Sequence, residues 1–316
     1  MLLPPDELAP GVAEALRRSA ELMPAVGAGV PEMRTAYEAE RAWWNEPVIE
    51  LASVTDGVLD LDDRAVGIRV YRPPGDAPLP ALVYLHGGGF VVGSLDSHDR
   101  IMRQLCRRSG AVVVGMDYPL APEHPHPAAI TTVEQAVLSL ADRPREHGID
   151  PGRLSIGGDS AGAYLALAAA LRLRQRRPGI IRFLLLYYGL YGFRESPSRR
   201  RFADPVYGLT PAKLRFYEAC YLGTDTSPKA DAIDLLASDH SALPPAFVAA
   251  AALDPLLNDS LALSEALSRA GGSAELRIYE GVLHGFLHWS RLVPAATQAL
   301  EDGARALQDA LLKPLA

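Results

Sequence analysis

One junction constrains this chain more than any other feature. The apolar run Leu154-Ser155-Ile156 passes through Gly157-Gly158-Asp159-Ser160-Ala161-Gly162 into a stretch of small and apolar residues that lasts to Arg176. A strand that becomes a helix within one glycine turn needs a sharp, strained backbone. A serine at its apex projects its hydroxyl from the sheet edge. Gly158 and Gly162 remove side chains that would clash in such a turn. The helix starting at Ala161 aims its amide dipoles at the serine and favours negative charge there. The bland alternative is a serine-capped helix after a glycine turn. The strand before and the helix after favour a nucleophile at Ser160.

The same alternation runs through most of the chain. Short β-rich runs occupy Val48 to Val54, Val66 to Tyr71, Ala81 to Leu85, Val112 to Met116, Leu154 to Ile156, Phe183 to Tyr188, Phe247 to Ala252 and Ala274 to Tyr279. Helical patterns fall at Ser97 to Arg108, Ala128 to Ala141, Ala161 to Arg176, Ser260 to Ala270 and Pro294 to Leu312. Such a pattern predicts an α/β fold: a mostly parallel eight-stranded sheet with helices on both faces. Several strands are nearly all apolar, as buried parallel strands must be. The first two are joined by a short acidic turn near Asp60 to Arg64, which makes the sheet start antiparallel. Residues 1–46 read as an amphipathic helical preface, broken between Gly27 and Pro31, with Leu8, Val12, Leu16, Met33, Tyr37 and Trp43 at helical spacing. Residues 47–190 and 243–316 form the main domain. Residues 191–242 interrupt the alternation and read as a lid insertion. Its arginines Arg194, Arg199, Arg200 and Arg201 read as a solvated face.

Three further segments supply what a serine nucleophile lacks. His86-Gly87-Gly88-Gly89-Phe90 follows an apolar strand directly, and its bare amides can hold an oxyanion. Gly88 and Gly89 are the expected donors, with the Ala161 N–H as the third. His86 is expected to hold the loop by hydrogen bonds rather than act as a base. A serine needs a histidine to take its proton. His284 lies past the strand ending at Tyr279, after a short glycine-bearing loop, where it can reach the sheet edge. His288 is expected in the next helix, and His124 and His126 in a proline-rich loop. The histidine needs a carboxylate to fix its tautomer. Asp254 ends an apolar strand; its rival Asp259 sits one turn further on. The chain order Ser160, Asp254, His284 suits this fold.

Bulk properties exclude other classes. A formal net charge of -7 argues against a nucleic-acid or anionic-membrane partner. Two distant cysteines, Cys106 and Cys220, match no metal or redox spacing and fit a reducing, cytoplasmic setting. The first residues lack a basic, apolar signal. The most apolar stretch, Ala161 to Leu171, is too short to span a bilayer.

Taken together, His86-Gly87-Gly88-Gly89-Phe90, Asp117-Tyr118-Pro119-Leu120-Ala121-Pro122-Glu123, Gly158-Asp159-Ser160-Ala161-Gly162, Asp254-Pro255-Leu256 and His284-Gly285-Phe286 resemble the hormone-sensitive-lipase family of bacterial esterases. The branch with aspartate before the serine is the similar one. The resemblance runs from about residue 47 to the end. It implies an α/β-hydrolase fold, a cap made from the N-terminal helices and the 191–242 insertion, no cofactor or metal, and short- to medium-chain acyl esters as substrates. It also implies a homodimer through the final helix or last strand. Three departures bear on the pocket: Ala163 and Tyr164 after the motif, Asn258 and Asp259 after Asp254, and Pro119 where an arginine is common. The last predicts a missing ion pair. Amide cleavage, by an arylformamidase or a peptidase, would use the same triad. A non-catalytic ligand-binding protein on this fold is the other alternative, and it would have no need of His284.

Overall fold

The computed structural model describes residues 7–23, 29–76, 78–223 and 233–312. Gly27, part of the predicted break between the first helices, lies outside them. Helices α1 (Val12–Leu22) and α2 (Val30–Asn45) come first. The antiparallel pair β1 (Ser53–Asp60) and β2 (Ala65–Arg72) follows. Alternation then begins with β3 (Leu79–Leu85), α3 (Asp99–Ser109), β4 (Val112–Asp117), α4 (Ala128–Asp142) and the single turn α5 (Pro144–His147). It continues with β5 (Ile149–Asp159), α6 (Ala161–Arg176) and β6 (Ile181–Tyr187). The insertion carries α7 (Pro197–Arg201) and α8 (Pro211–Leu222), and its residues 224–232 lie outside the described ones. The chain ends with β7 (Ala246–Leu253), α9 (Leu257–Arg269), β8 (Ala274–Leu283) and α10 (Pro294–Leu312).

All eight strands join one sheet in the order β1-β2-β4-β3-β5-β6-β7-β8. Only β1 with β2 and β2 with β4 run antiparallel. Side chains alternate between two cores. From β3, Ala81, Val83 and Leu85 pack among α4, α6 and α9 residues, while Leu82 and Tyr84 pack among those of α3 and α10. Both faces of the central strands are therefore dry, which is why they read as continuous apolar runs. The chain leaves β3 for β4 on one side and returns to β5 on the other. That switch sets the carboxyl ends of β3 and β5 side by side, with Leu85 opposite Gly158, and opens the crevice where ligands bind in such sheets.

Three strands differ from the sequence reading: β5 is longer, Ile149–Asp159 against Leu154 to Ile156, and the first and last strands depart from their expected bounds. The first lies at Ser53–Asp60, not Val48 to Val54. It is an edge strand whose only buried residue is Leu59, so it lacks the apolar signature. The Val48 region is instead held to α3, where Arg103 Nη1 donates to Ile49 O at 3.0 Å. The last strand runs on to Leu283, so His284 follows it immediately rather than after a loop. The irregularity foreseen there is a left-handed Gly281 (φ 67°), whose carbonyl accepts from Ala9 N at 2.9 Å. Among the described residues no helix is long and apolar enough to cross a membrane.

Candidate active site

Ser160 sits between β5 and α6 at φ 52°, ψ -118°, a strained conformation for a residue with a Cβ. Its amide donates to Tyr187 O at 2.9 Å, which ties the turn to the neighbouring strand. A Cβ on Gly158 or Gly162 would overlap Leu85 O, so the motif glycines answer close backbone approach. His284 Nε2 lies 2.8 Å from Ser160 Oγ, and His284 Nδ1 lies 2.8 Å from Asp254 Oδ2. Asp254 is fully buried, and its Oδ1 accepts Leu256 N at 2.8 Å. With Nδ1–H held by Asp254, Nε2 is left bare to accept the serine proton. Residues 124 and 30 positions apart thus meet in one hydrogen-bonded line. Asp259 belongs elsewhere: its Oδ1 accepts the Tyr191 and Gly192 amides at 3.0 and 2.8 Å.

Gly88 and Gly89 face the same cavity as Ser160 and Ala161, at φ 126° and 60°. His86 is buried away from that cavity. Its Nδ1 lies 2.8 Å from Gly87 O, and its carbonyl accepts Tyr118 OH at 2.7 Å. Burial pushes its imidazole down to about 3, so it is a neutral structural group.

The cavity measures ≈ 240 Å³. Its lining comes from three parts of the chain: the sheet edge, α2 through Tyr37 and Arg41, and the insertion through residues such as Arg199 and Tyr217. Several of these escaped the sequence reading. Arg199 does not lie on a solvated face: its side chain is 10% exposed, and it pairs with Asp259 at 3.3 Å. Arg194 pairs with Asp234, and Arg201 stacks 5.1 Å from the Phe202 ring; Arg200 is exposed. His288 lines the cavity from a short 3₁₀ turn after His284, while His126 faces Tyr221 OH at 3.1 Å instead. Tyr217 could not be foreseen, because only the tertiary fold sets its ring on Gly89.

The departures from the family pattern have physical roles. Tyr164 OH donates to Ile233 O at 2.9 Å. Asn258 Oδ1 accepts Ser198 N at 2.7 Å, so α9 anchors α7 of the insertion. Near Pro119 an ion pair joins α2 to the same segment. Arg34 of α2 reaches Glu123 with Nη1 at 2.9 Å and Nη2 at 2.7 Å, and also bonds Val91 O and Ala121 O.

The chain belongs to the alpha/beta hydrolase fold family, whose profile matches residues 82–288. Solved structures extend the match over nearly the whole length. A hyperthermophilic esterase from the archaeon Pyrobaculum calidifontis is 30% identical with a TM-score of 0.90, covering 98% of this chain and 99% of that one. A thermophilic carboxylesterase from a metagenomic library is 31% identical with a TM-score of 0.87, covering 91% and 99%. An ester-hydrolase from the metagenome of Lake Arreo, complexed with a bipyridine phosphonate derivative, is 31% identical with a TM-score of 0.89, covering 98% and 99%. Within that fold family this protein is a carboxylic ester hydrolase of the hormone-sensitive-lipase-like family, similar to bacterial and archaeal esterases.

Proposed function

We propose that Ser160, His284 and Asp254 hydrolyse short- to medium-chain acyl esters through an acyl-enzyme, with the amides of Gly88, Gly89 and Ala161 as oxyanion donors. The observation that carries this reading is the line Asp254 Oδ2–His284 Nδ1 and His284 Nε2–Ser160 Oγ, both 2.8 Å. His284 takes the proton as Ser160 Oγ bonds to the ester carbonyl carbon. It returns that proton to the leaving alcohol, and water repeats the sequence on the acyl-enzyme. Residues 1–46 and 191–242 act as a cap over the main domain, a reading supported by Tyr37 and Arg41 of the first and Arg199 and Tyr217 of the second, which line the cavity. The chain-length preference rests on the cavity's ≈ 240 Å³, just below the roughly 300–1,000 Å³ of sites for drug-sized ligands. The mechanism needs no metal or cofactor. Free cysteines, Cys106 buried and Cys220 half-buried, support a cytoplasmic setting. For a homodimer, the outer edge of β8 with its exposed Ile278 is the surface this reading favours; sedimentation tests it.

Ser160→Ala is the decisive experiment. It should abolish turnover of nitrophenyl butyrate and labelling by a fluorophosphonate while leaving the unfolding transition in place. Undiminished hydrolysis by that variant would sink the assignment. An acyl series from acetate to laurate tests the substrate reading, and a sharp maximum at laurate would overturn it.

A further inference from the structure

Beneath Ser160 lies a carboxylate that the reaction scheme does not use. Asp159 is 2% exposed and gathers donors from several segments. Its Oδ1 accepts Tyr84 OH of β3 at 2.9 Å and Gly87 N–H of the glycine loop at 3.1 Å. Its Oδ2 accepts Tyr188 OH, just past β6, at 3.3 Å. His98 Nε2 is 3.4 Å from Oδ1. Burial opposes the charge, but His98 and the Tyr84 hydroxyl outweigh it and hold the carboxyl below its ordinary range. A Cβ on Gly87 would lie 2.5 Å from Asp159 Oδ2, so loop and carboxylate are in close approach. The Tyr188 ring stands edge-on to His284, centroids 5.1 Å apart.

His98, Asp159 and His288 also offer ligand atoms within 4.8 Å of one another. Hydrogen bonding explains this cluster better than a cation does. Both Asp159 oxygens already accept hydroxyl or amide donors.

We propose that Asp159 is a positioning residue. It fixes Gly87, and through it the Gly88 and Gly89 amides, relative to the adjacent Ser160 Oγ, and it steadies His284 through Tyr188. This inference rests on reading those amides as oxyanion donors. Oxyanion stabilisation is realised in the transition state, so its disturbance lowers kcat more than it raises KM.

The test compares Asp159→Asn with wild type in three measurements: kcat and KM for nitrophenyl butyrate, the Ki of a trifluoromethyl ketone whose adduct oxygen occupies the oxyanion site, and thermal unfolding. Asparagine keeps an acceptor but loses the charge and sets an NH₂ against a hydroxyl donor. A displacement near 1 Å at a reacting centre costs about 10²-fold. The expected result is a kcat loss of about 10- to 10²-fold, KM within about threefold, and a Ki that rises by the factor lost in kcat/KM. Unchanged kcat, or a kcat loss with unchanged Ki, overturns the proposal. If Asp159→Asn does not fold, Tyr84→Phe and Tyr188→Phe loosen the carboxylate from its two sides. Both should lower kcat and ketone affinity in parallel, and unchanged kcat in both overturns the proposal. Failure of the underlying reading looks different: the ketone would then not inhibit the wild-type enzyme, or would inhibit Gly89→Ala as tightly as wild type.

Discussion

Gly89→Ala measures how closely the insertion fits over the glycine loop. Gly89 stands at φ 60°, where a residue with a Cβ costs about 1–2 kcal/mol. A methyl there would lie 2.6 Å from both Cδ atoms of the Tyr217 ring. Carbon atoms prefer roughly 3.5–4.0 Å, so ring or loop must give way by about 1 Å. A shift of that size in an oxyanion donor corresponds to a rate loss of about 10²-fold, or ~2.7 kcal/mol of transition-state stabilisation. The expected result is therefore a fall of about 10²-fold in kcat/KM for nitrophenyl butyrate. Tyr217→Ala removes the obstacle. In that background the added methyl should cost about tenfold or less, a coupling of ~1.4 kcal/mol or more. Steady-state kinetics on the single and double variants, with urea unfolding to correct for stability, give the coupling directly. Additive losses would refute the reasoning, since Tyr217 would then not constrain the loop.

Other outcomes follow from the same geometry. Asp254→Asn should leave the fold intact but offer His284 the wrong hydrogen-bond partner, lowering kcat by about 10⁴-fold; a loss under tenfold would remove Asp254 from the triad. Gly303→Ala should reverse the usual helix trend. Alanine normally gains about 1 kcal/mol over glycine in a helix interior, but here its methyl would overlap Tyr187 Oη and lie 2.9 Å from Leu185 Cδ1. Urea unfolding should show about 1–3 kcal/mol of destabilisation. Acid should unfold the protein early. Burial holds His86 down to about 3 and His288 well below its ordinary range, so both are neutral when folded and charge on unfolding. The unfolded state then binds more protons below about pH 6.5. Stability should fall as pH drops through that point towards 3, by up to about 1.4 kcal/mol per pH unit for each histidine. A flat urea midpoint between pH 6.5 and 4.5 would contradict this.

The sequence exposed those features whose cause is local. Ser160 and Asp254 each follow an apolar run at once, and His284 lies a few residues past the predicted end of another strand, so strand polarity sends all three to one edge of the sheet. The paired glycine loop after β3 was legible for the same reason. What stayed hidden depends on contacts across long separations. Tyr84 reaches Asp159 over 75 residues, and Arg34 reaches Glu123 over 89. Nothing in a run of apolar residues marks one tyrosine hydroxyl as a donor to a buried carboxylate. Arg199 was misread because a cluster of arginines looks solvated until Asp259 is brought to it. β1 was misplaced because an exposed edge strand carries no apolar run.

Arg34 connects two things usually considered apart. Its Nε holds Val91 O at 2.8 Å while its Nη atoms grip Glu123, so α2 is moored to the segment that continues from Phe90 out of the glycine loop. Anything that tugs α2 therefore pulls on a strut of the catalytic loop. A hybrid built by grafting the N-terminal helices of one relative onto the body of another would take part of its turnover number from the donor, along with its substrate range.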